Sequence, residues 1–264
     1  MKRRSLALAG FCVVLILLSG QMLAQVSFFQ PPTYFGAGNV FVADFNGDGK
    51  RDILTSDGTM NLGNGDGSFK LGTSVSTSPL TILAVADFNG DGKPDVLEQG
   101  IGTLLVLLGN GDGTFQSPIS TASGASLVTV TATDLNGDGK ADVVGVFGSA
   151  LFVYISKGDG TFTSGVSYNL GTASVGVTIL SLGDFNGDSK TDVAVSIAGN
   201  NVAGQEIVLR GNGDGSIQTT PKTSAGVYFP QYAIAGDFNG DGKLDLAVSN
   251  GFGSPRHDLS PPGK

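Results

Sequence analysis

Five nine-residue segments place the same oxygen donors in the same order. They are Asp44-Phe-Asn-Gly-Asp-Gly-Lys-Arg-Asp52, Asp87-Phe-Asn-Gly-Asp-Gly-Lys-Pro-Asp95, Asp134-Leu-Asn-Gly-Asp-Gly-Lys-Ala-Asp142, Asp184-Phe-Asn-Gly-Asp-Ser-Lys-Thr-Asp192 and Asp237-Phe-Asn-Gly-Asp-Gly-Lys-Leu-Asp245. Positions one, three, five and nine carry Asp, Asn, Asp and Asp. In the first loop these are Asp44, Asn46, Asp48 and Asp52, and in the second Asp87, Asn89, Asp91 and Asp95. The third has Asp134, Asn136, Asp138 and Asp142, the fourth Asp184, Asn186, Asp188 and Asp192, and the fifth Asp237, Asn239, Asp241 and Asp245. Odd positions of a looping chain point the same way, so the four oxygen-bearing side chains are expected to converge. Position seven is always Lys (Lys50, Lys93, Lys140, Lys190 and Lys243), which offers its backbone carbonyl rather than its ammonium. An all-oxygen set selects a hard cation, and a flexible cage of six or more oxygens favours Ca²⁺ over Mg²⁺. About five Ca²⁺ ions are expected.

Charge supports the same chemistry. Two unscreened carboxylates at about 4 Å repel by roughly 4 kcal/mol at an effective dielectric of 20. The loops hold fifteen of the 23 acidic residues, so an unmetallated set is costly. In the fourth loop Ser189 stands where the others have Gly. If the backbone there needs φ > 0, this site is weaker by about 1 kcal/mol.

A second motif recurs between the loops: Gly63-Asn-Gly-Asp-Gly-Ser-Phe69, Gly109-Asn-Gly-Asp-Gly-Thr-Phe115, Lys157-Gly-Asp-Gly-Thr-Phe162 and Gly211-Asn-Gly-Asp-Gly-Ser-Ile217. Asn-Gly and Asp-Gly between apolar runs predict hairpin turns. Around both motifs lie short, β-branched runs, such as Ile82-Leu-Ala-Val-Ala86 and Asp192-Val-Ala-Val. Each unit reads as strand, acidic loop, strand, link, strand, turn, strand. The loops start at residues 44, 87, 134, 184 and 237, a spacing of 43 to 53. Four strands in such a period make one propeller blade. The residue before each loop is small (Ala43, Ala86, Thr133, Gly183, Gly236), as crowding around an axis requires. The fold class is therefore all-β, a β-propeller of about five four-stranded repeats.

Asp87 to Glu98 also fits a twelve-residue EF-hand pattern. An EF-hand needs flanking helices, and the flanks here read as strand and glycine-rich link, so Glu98 is not expected to be a ligand.

The N-terminus predicts export. Lys2, Arg3 and Arg4 precede an apolar run from Leu6 to Leu18, and Met22-Leu23-Ala24 offers a cleavage point. The run is shorter than the roughly 20 residues of a membrane span. Residues 1–24 are thus expected to be a signal peptide, 25–250 the repeat domain and 251–264 an irregular tail. The product is secreted, extracellular or periplasmic, with no membrane span after cleavage. Cys12 is the one cysteine, and it lies in the leader, so no disulfide is available. Residues 1–24 hold three of the 15 basic residues and no acid, which leaves 12 bases against 23 acids, a net of −11. Five divalent ions would bring this to −1. Such a surface repels nucleic acid and anionic lipid.

Loop, turn and period together resemble the FG-GAP/VCBS repeat family, which includes the propeller of integrin α-subunits, over residues 27 to 250. The match is nearer the bacterial branch, since Phe35-Gly36 is present and a literal Gly-Ala-Pro is not. The resemblance implies a Ca²⁺-binding loop between the first two strands of each blade. Related propellers often have seven blades. Here the fifth loop is followed by Leu246-Ala-Val-Ser and a tail without a further turn motif, so the last blade is expected to be incomplete. A copy cut short from a longer protein, a genuine five-unit ring and self-association through the incomplete blade are the alternatives. Phe28-Phe-Gln-Pro-Pro-Thr-Tyr-Phe35 resembles a fourth strand that closes such a ring.

Function is expected to be extracellular binding or adhesion, with a glycan, matrix polymer or protein as partner. A lectin or carbohydrate-active enzyme on the same scaffold and a remnant without ligand are the alternatives. An enzyme is not expected. Outside both motifs the acids are Asp57, Glu98, Glu206 and Asp258, and the single His257 lies in the tail.

Overall fold

The computed structural model describes residues 39–75, 81–170, 177–197, 204–218, 222–227 and 230–250. The expected leader, the strand-like Phe28–Phe35 and the tail from residue 251 lie outside the described residues. So does His257.

Glycine-rich loops separate runs of β-branched and apolar residues, and each run forms a strand. The first sheet is β1 (Val40–Ala43), β2 (Asp52–Thr55), β3 (Met60–Gly63) and β4 (Phe69–Leu71). The second is β5 (Thr81–Ala86), β6 (Asp95–Gly100), β7 (Thr103–Leu107) and β8 (Ile119–Ala122). The third is β9 (Thr129–Thr133), β10 (Asp142–Phe147), β11 (Ala150–Tyr154) and β12 (Val166–Asn169). The fourth is β13 (Val177–Gly183), β14 (Asp192–Ile197), β15 (Gly204–Leu209) and β16 (Lys222–Val227). Strands β17 (Pro230–Gly236) and β18 (Asp245–Asn250) form the fifth unit, two strands among the described residues. Every sheet is an antiparallel meander in chain order, and the described residues contain no helix. These are the blades of a β-propeller, as the repeat predicts.

One register recurs in all five units. The ninth-position Asp pairs with the small residue before the loop: Ala43 with Asp52, Ala86 with Asp95, Thr133 with Asp142, Gly183 with Asp192 and Gly236 with Asp245. Each acidic loop is therefore the closed end of the hairpin between the first and second strands. The smallness at this point has a visible cause at Gly183, where a Cβ would collide with the Leu244 side chain of the next unit.

The core lies between consecutive blades. Alternate residues of a strand face opposite sides, and in β6, β10 and β14 both sides are covered. Val96 joins a cluster with Leu54 and Met60 of the first blade, while Leu97 joins one with Val143 and Tyr154 of the third. Val144 of the third blade in turn packs with Val193 and Val195 of the fourth. The first strands β1, β5, β9, β13 and β17 follow one another in space. The outer strand β12 is mostly exposed.

Candidate metal centres

Each loop is organised by its first Asp. Asp44 Oδ1 accepts from the amides of Gly47 (2.8 Å) and Asp48 (3.2 Å), and its Oδ2 accepts from Gly49 (2.8 Å). Asp87, Asp134, Asp184 and Asp237 gather the same three amides of their own loops. The third-position Asn oxygen accepts from the fifth-position amide at Asn46, Asn89, Asn136 and Asn239. In the fourth loop Asn186 instead turns its Nδ2 to Asp192, 3.0 Å from Oδ2. The fifth Asp accepts from the seventh-position amide in every loop. Donation from the Lys50 amide is the largest influence holding the Asp48 carboxyl below its ordinary range.

The ninth Asp differs from the other three donors. Asp52, Asp95, Asp142 and Asp192 are fully buried. One oxygen accepts the amide of the second loop residue: Phe45, Phe88, Leu135 and Phe185 respectively. The other accepts the amide at the start of the Asn-Gly-Asp-Gly turn: Gly63, Gly109, Ser156 and Gly211. This carboxylate ties the acidic loop to the turn of its own blade. Asp245 accepts from Phe238 in the same way.

The expected convergence is thus divided. In the first four loops position five is exposed on the rim, positions one and three are half-buried, and position nine is fully buried. Among the described residues, no three acidic or histidine side chains close around one point. Three of the position-seven lysines turn back on their own loops, with Nζ of Lys50, Lys93 and Lys140 at 3.5, 3.5 and 3.1 Å from Asp48, Asp91 and Asp138.

The residues fit a hard divalent cation. Each loop offers three carboxylates, an amide oxygen and backbone carbonyls against a single Lys, with no nitrogen or sulfur ligand. The negative charge is in excess. Burial pushes Asp95 up to about 6 against the Gly109 and Phe88 amides, and the charges of Asp91 and Asp87 push the same way. Asp142 and Asp192 are raised by burial first, with the other Asp residues of their loops adding. A bound cation would supply the missing positive charge.

Ser189 has φ 63°, the one positive value outside glycine among the described residues, and the equivalent Gly49, Gly92, Gly139 and Gly242 lie at 80° to 82°. The condition for a strained fourth loop is met.

The turns close on themselves, as predicted. Asp66, Asp112, Asp159 and Asp214 each accept both the amide and the hydroxyl of the Ser or Thr two residues on. Their larger role is not apparent from any one repeat. The turn of one blade sits on the acidic loop of the blade before it. Gly113 donates to the Phe45 carbonyl at 2.8 Å. Phe115 meets Phe45 edge-on at 6.1 Å, and Phe162 meets Phe88 at 5.7 Å. Leu135 and Ile217 share one buried cluster.

Comparison with known proteins agrees with this geometry. The FG-GAP-like repeat matches residues 87–145 and 134–195, and the FG-GAP repeat matches residues 233–262. Together they take in more than half of the chain. A solved Agrocybe aegerita lectin, described for specific recognition of non-reducing terminal N-acetylglucosamine, is similar with a TM-score of 0.60 at 23% identity, over 80% of this chain and 60% of that one. The Photorhabdus luminescens Tc holotoxin pore gives a TM-score of 0.50 at 19% identity, over 85% of this chain and 11% of that one. The chain thus spans less than two thirds of either structure's length, and at these identities the likeness is one of fold. No curated protein sequence matches significantly. Repeated motif, blade topology and family match agree: the chain belongs to the FG-GAP repeat family.

Proposed function

We propose that this protein is a secreted, calcium-dependent binding module. In this reading the five loops take Ca²⁺ and stiffen one end of the propeller, and that end presents the ligand surface. The observation that carries it is the fivefold repetition of one oxygen donor set on equivalent hairpin ends. A turn needs one Asp, and these have three at fixed spacing.

A cleft of about 250 Å³, part polar and part apolar, lies at this end between the third and fourth blades, lined by Asp134, Leu135, Ser189, Lys190, Thr191 and Asn212 among others. Its mixture of carboxylate, amide, hydroxyl and ammonium groups suits a hydroxyl-rich ligand, as sugars are. The lectin's fold supports a glycan as the first ligand class to try. A non-enzymatic role is supported by the positions of Glu98 and Glu206, which are 2% and 8% exposed and so withheld from substrate.

The test is an array of glycans and matrix proteins, probed with the purified chain in calcium and in chelator. Saturable binding in calcium, lost in chelator, is the expected result. Binding that is indifferent to chelator, or no binding to any member, contradicts it.

A further inference from the structure

The third blade departs from its neighbours at the start of the turn. The first, second and fourth blades have Gly63, Gly109 and Gly211 there, and the third has Ser156. At those glycines a Cβ would collide with the carbonyl oxygens of Arg51, Pro94 and Thr191. Ser156 carries both a Cβ and a hydroxyl. The hydroxyl donates to the carbonyl oxygen of Phe88 at 2.6 Å and accepts from the Gly158 amide at 3.1 Å. The first of these bonds crosses from the third blade into the acidic loop of the second.

Two further bonds extend it in both directions. The Phe88 amide donates to Asp95 Oδ2 at 2.9 Å, and the Ser156 amide donates to Asp142 Oδ1 at 2.8 Å. Asp95, Phe88, Ser156 and Asp142 therefore form an unbroken hydrogen-bonded series between the ninth-position residues of two loops. All four are buried, with Ser156 the most exposed at 5%. In such surroundings each hydrogen bond is stronger than it would be in water, so the series holds the two loops in a fixed relation. The same two loops also meet directly, the Ala141 amide donating to the Asp87 carbonyl at 2.8 Å, a bond that Pro94, without an amide hydrogen, cannot make to the first loop. The first and second loops lack so short a link through the turn. There the Phe45 carbonyl is met by Gly113, whereas the amide bonded to Asp95 belongs to Gly109, at the other end of the turn.

We infer that Ser156 is a positioning residue that couples the loop at 87–95 to the loop at 134–142, so that these two take up cations as a linked pair. The loop at 44–52 takes its ion independently of them. The inference rests on the calcium reading above.

Hydrogen exchange on the full chain, titrated with calcium, reads the loops at 44–52, 87–95 and 134–142 separately. Asp91→Asn removes a ligand from the second loop only. It should raise the calcium concentration for half-protection of 134–142 by about fivefold or more, the usual lower range for coupled sites. The midpoint at 44–52 should not move. In a Ser156→Gly background, which installs the residue of the other three blades, Asp91→Asn should shift 134–142 by clearly less, the Ala141 bond to Asp87 being all that remains. Ser156→Ala, which loses only the hydroxyl, should weaken the coupling to the same extent. A midpoint at 134–142 that ignores Asp91→Asn, or that shifts equally without the Ser156 hydroxyl, overturns the coupling. Absence of calcium-induced protection in every loop of the unsubstituted chain overturns the calcium reading and the coupling with it, a visibly different outcome.

Discussion

Phe88 and Phe162 meet edge to face with their ring centroids 5.7 Å apart, one from the acidic loop of the second blade and the other from the turn of the third. Both rings are buried, at 0% and 2% exposure. The contact joins two motifs that recur independently along the chain, and it is made again by Phe45 with Phe115.

Removing one ring tests whether this packing holds the blades together. Phe88→Ala should destabilise the chain by about 3–5 kcal/mol, the usual cost of a buried Phe→Ala change. Denaturant melts with and without chelator measure it. The loss should appear in both, because the contact is hydrophobic and needs no ion.

Ser189→Gly should act in the opposite direction. At φ 63° a residue with a Cβ is strained, and relief is worth about 1 kcal/mol. A higher denaturation midpoint and a tighter fourth site are expected. An unchanged midpoint would contradict the strain, since the amide bond to Asp184 (2.7 Å) is a backbone bond that glycine keeps.

The loops and their flanking strands are legible in the sequence because each depends on residues close in the chain. Small residue, Asp, paired Gly (Gly187 and Ser189 in the fourth loop) and closing Asp together determine one hairpin, and the same hairpin forms in all five units. The docking of each turn on the preceding loop is not legible in this way, since the partners lie in different repeats. One trace does exist. Leu135 is the only loop residue at its position that is not Phe, Ile217 is the only turn residue at its position that is not Phe, and the two share one cluster. The division of labour within the donor set is likewise hidden. Nothing in the motif shows that Asp95 is buried between two amides while Asp91 remains on the rim.

That division predicts different behaviour for two Asp→Asn changes in one loop. Asp95 accepts the Phe88 and Gly109 amides. Asp95→Asn turns a donor toward one of them and should cost about 1–3 kcal/mol even in chelator. Asp91→Asn should be nearly neutral in chelator and destabilising only in calcium. Melting curves of both variants under both conditions measure the difference.

Glu206 predicts a pH effect. Burial raises its carboxyl above the ordinary 4.5, while the Ser196 hydroxyl, at 3.0 and 2.8 Å from its two oxygens, works the other way. A raised acid binds its proton more tightly folded than unfolded. Its effect is absent below the unfolded value, and stability is lost as pH rises through the window between unfolded and folded values. Glu206→Gln should therefore melt higher than the unsubstituted chain at pH 7 and equally at about pH 4. Taking the difference between the two chains, in chelator, cancels the contribution of the loop carboxylates.

Thermal unfolding of the purified chain, with saturating calcium and then with chelator, tests the central claim most directly. An ion at 100 times its Kd adds about 2.7 kcal/mol per site, so several occupied loops should raise Tm by many degrees, with the gain rising with calcium concentration. Identical melting curves in calcium and chelator would contradict it.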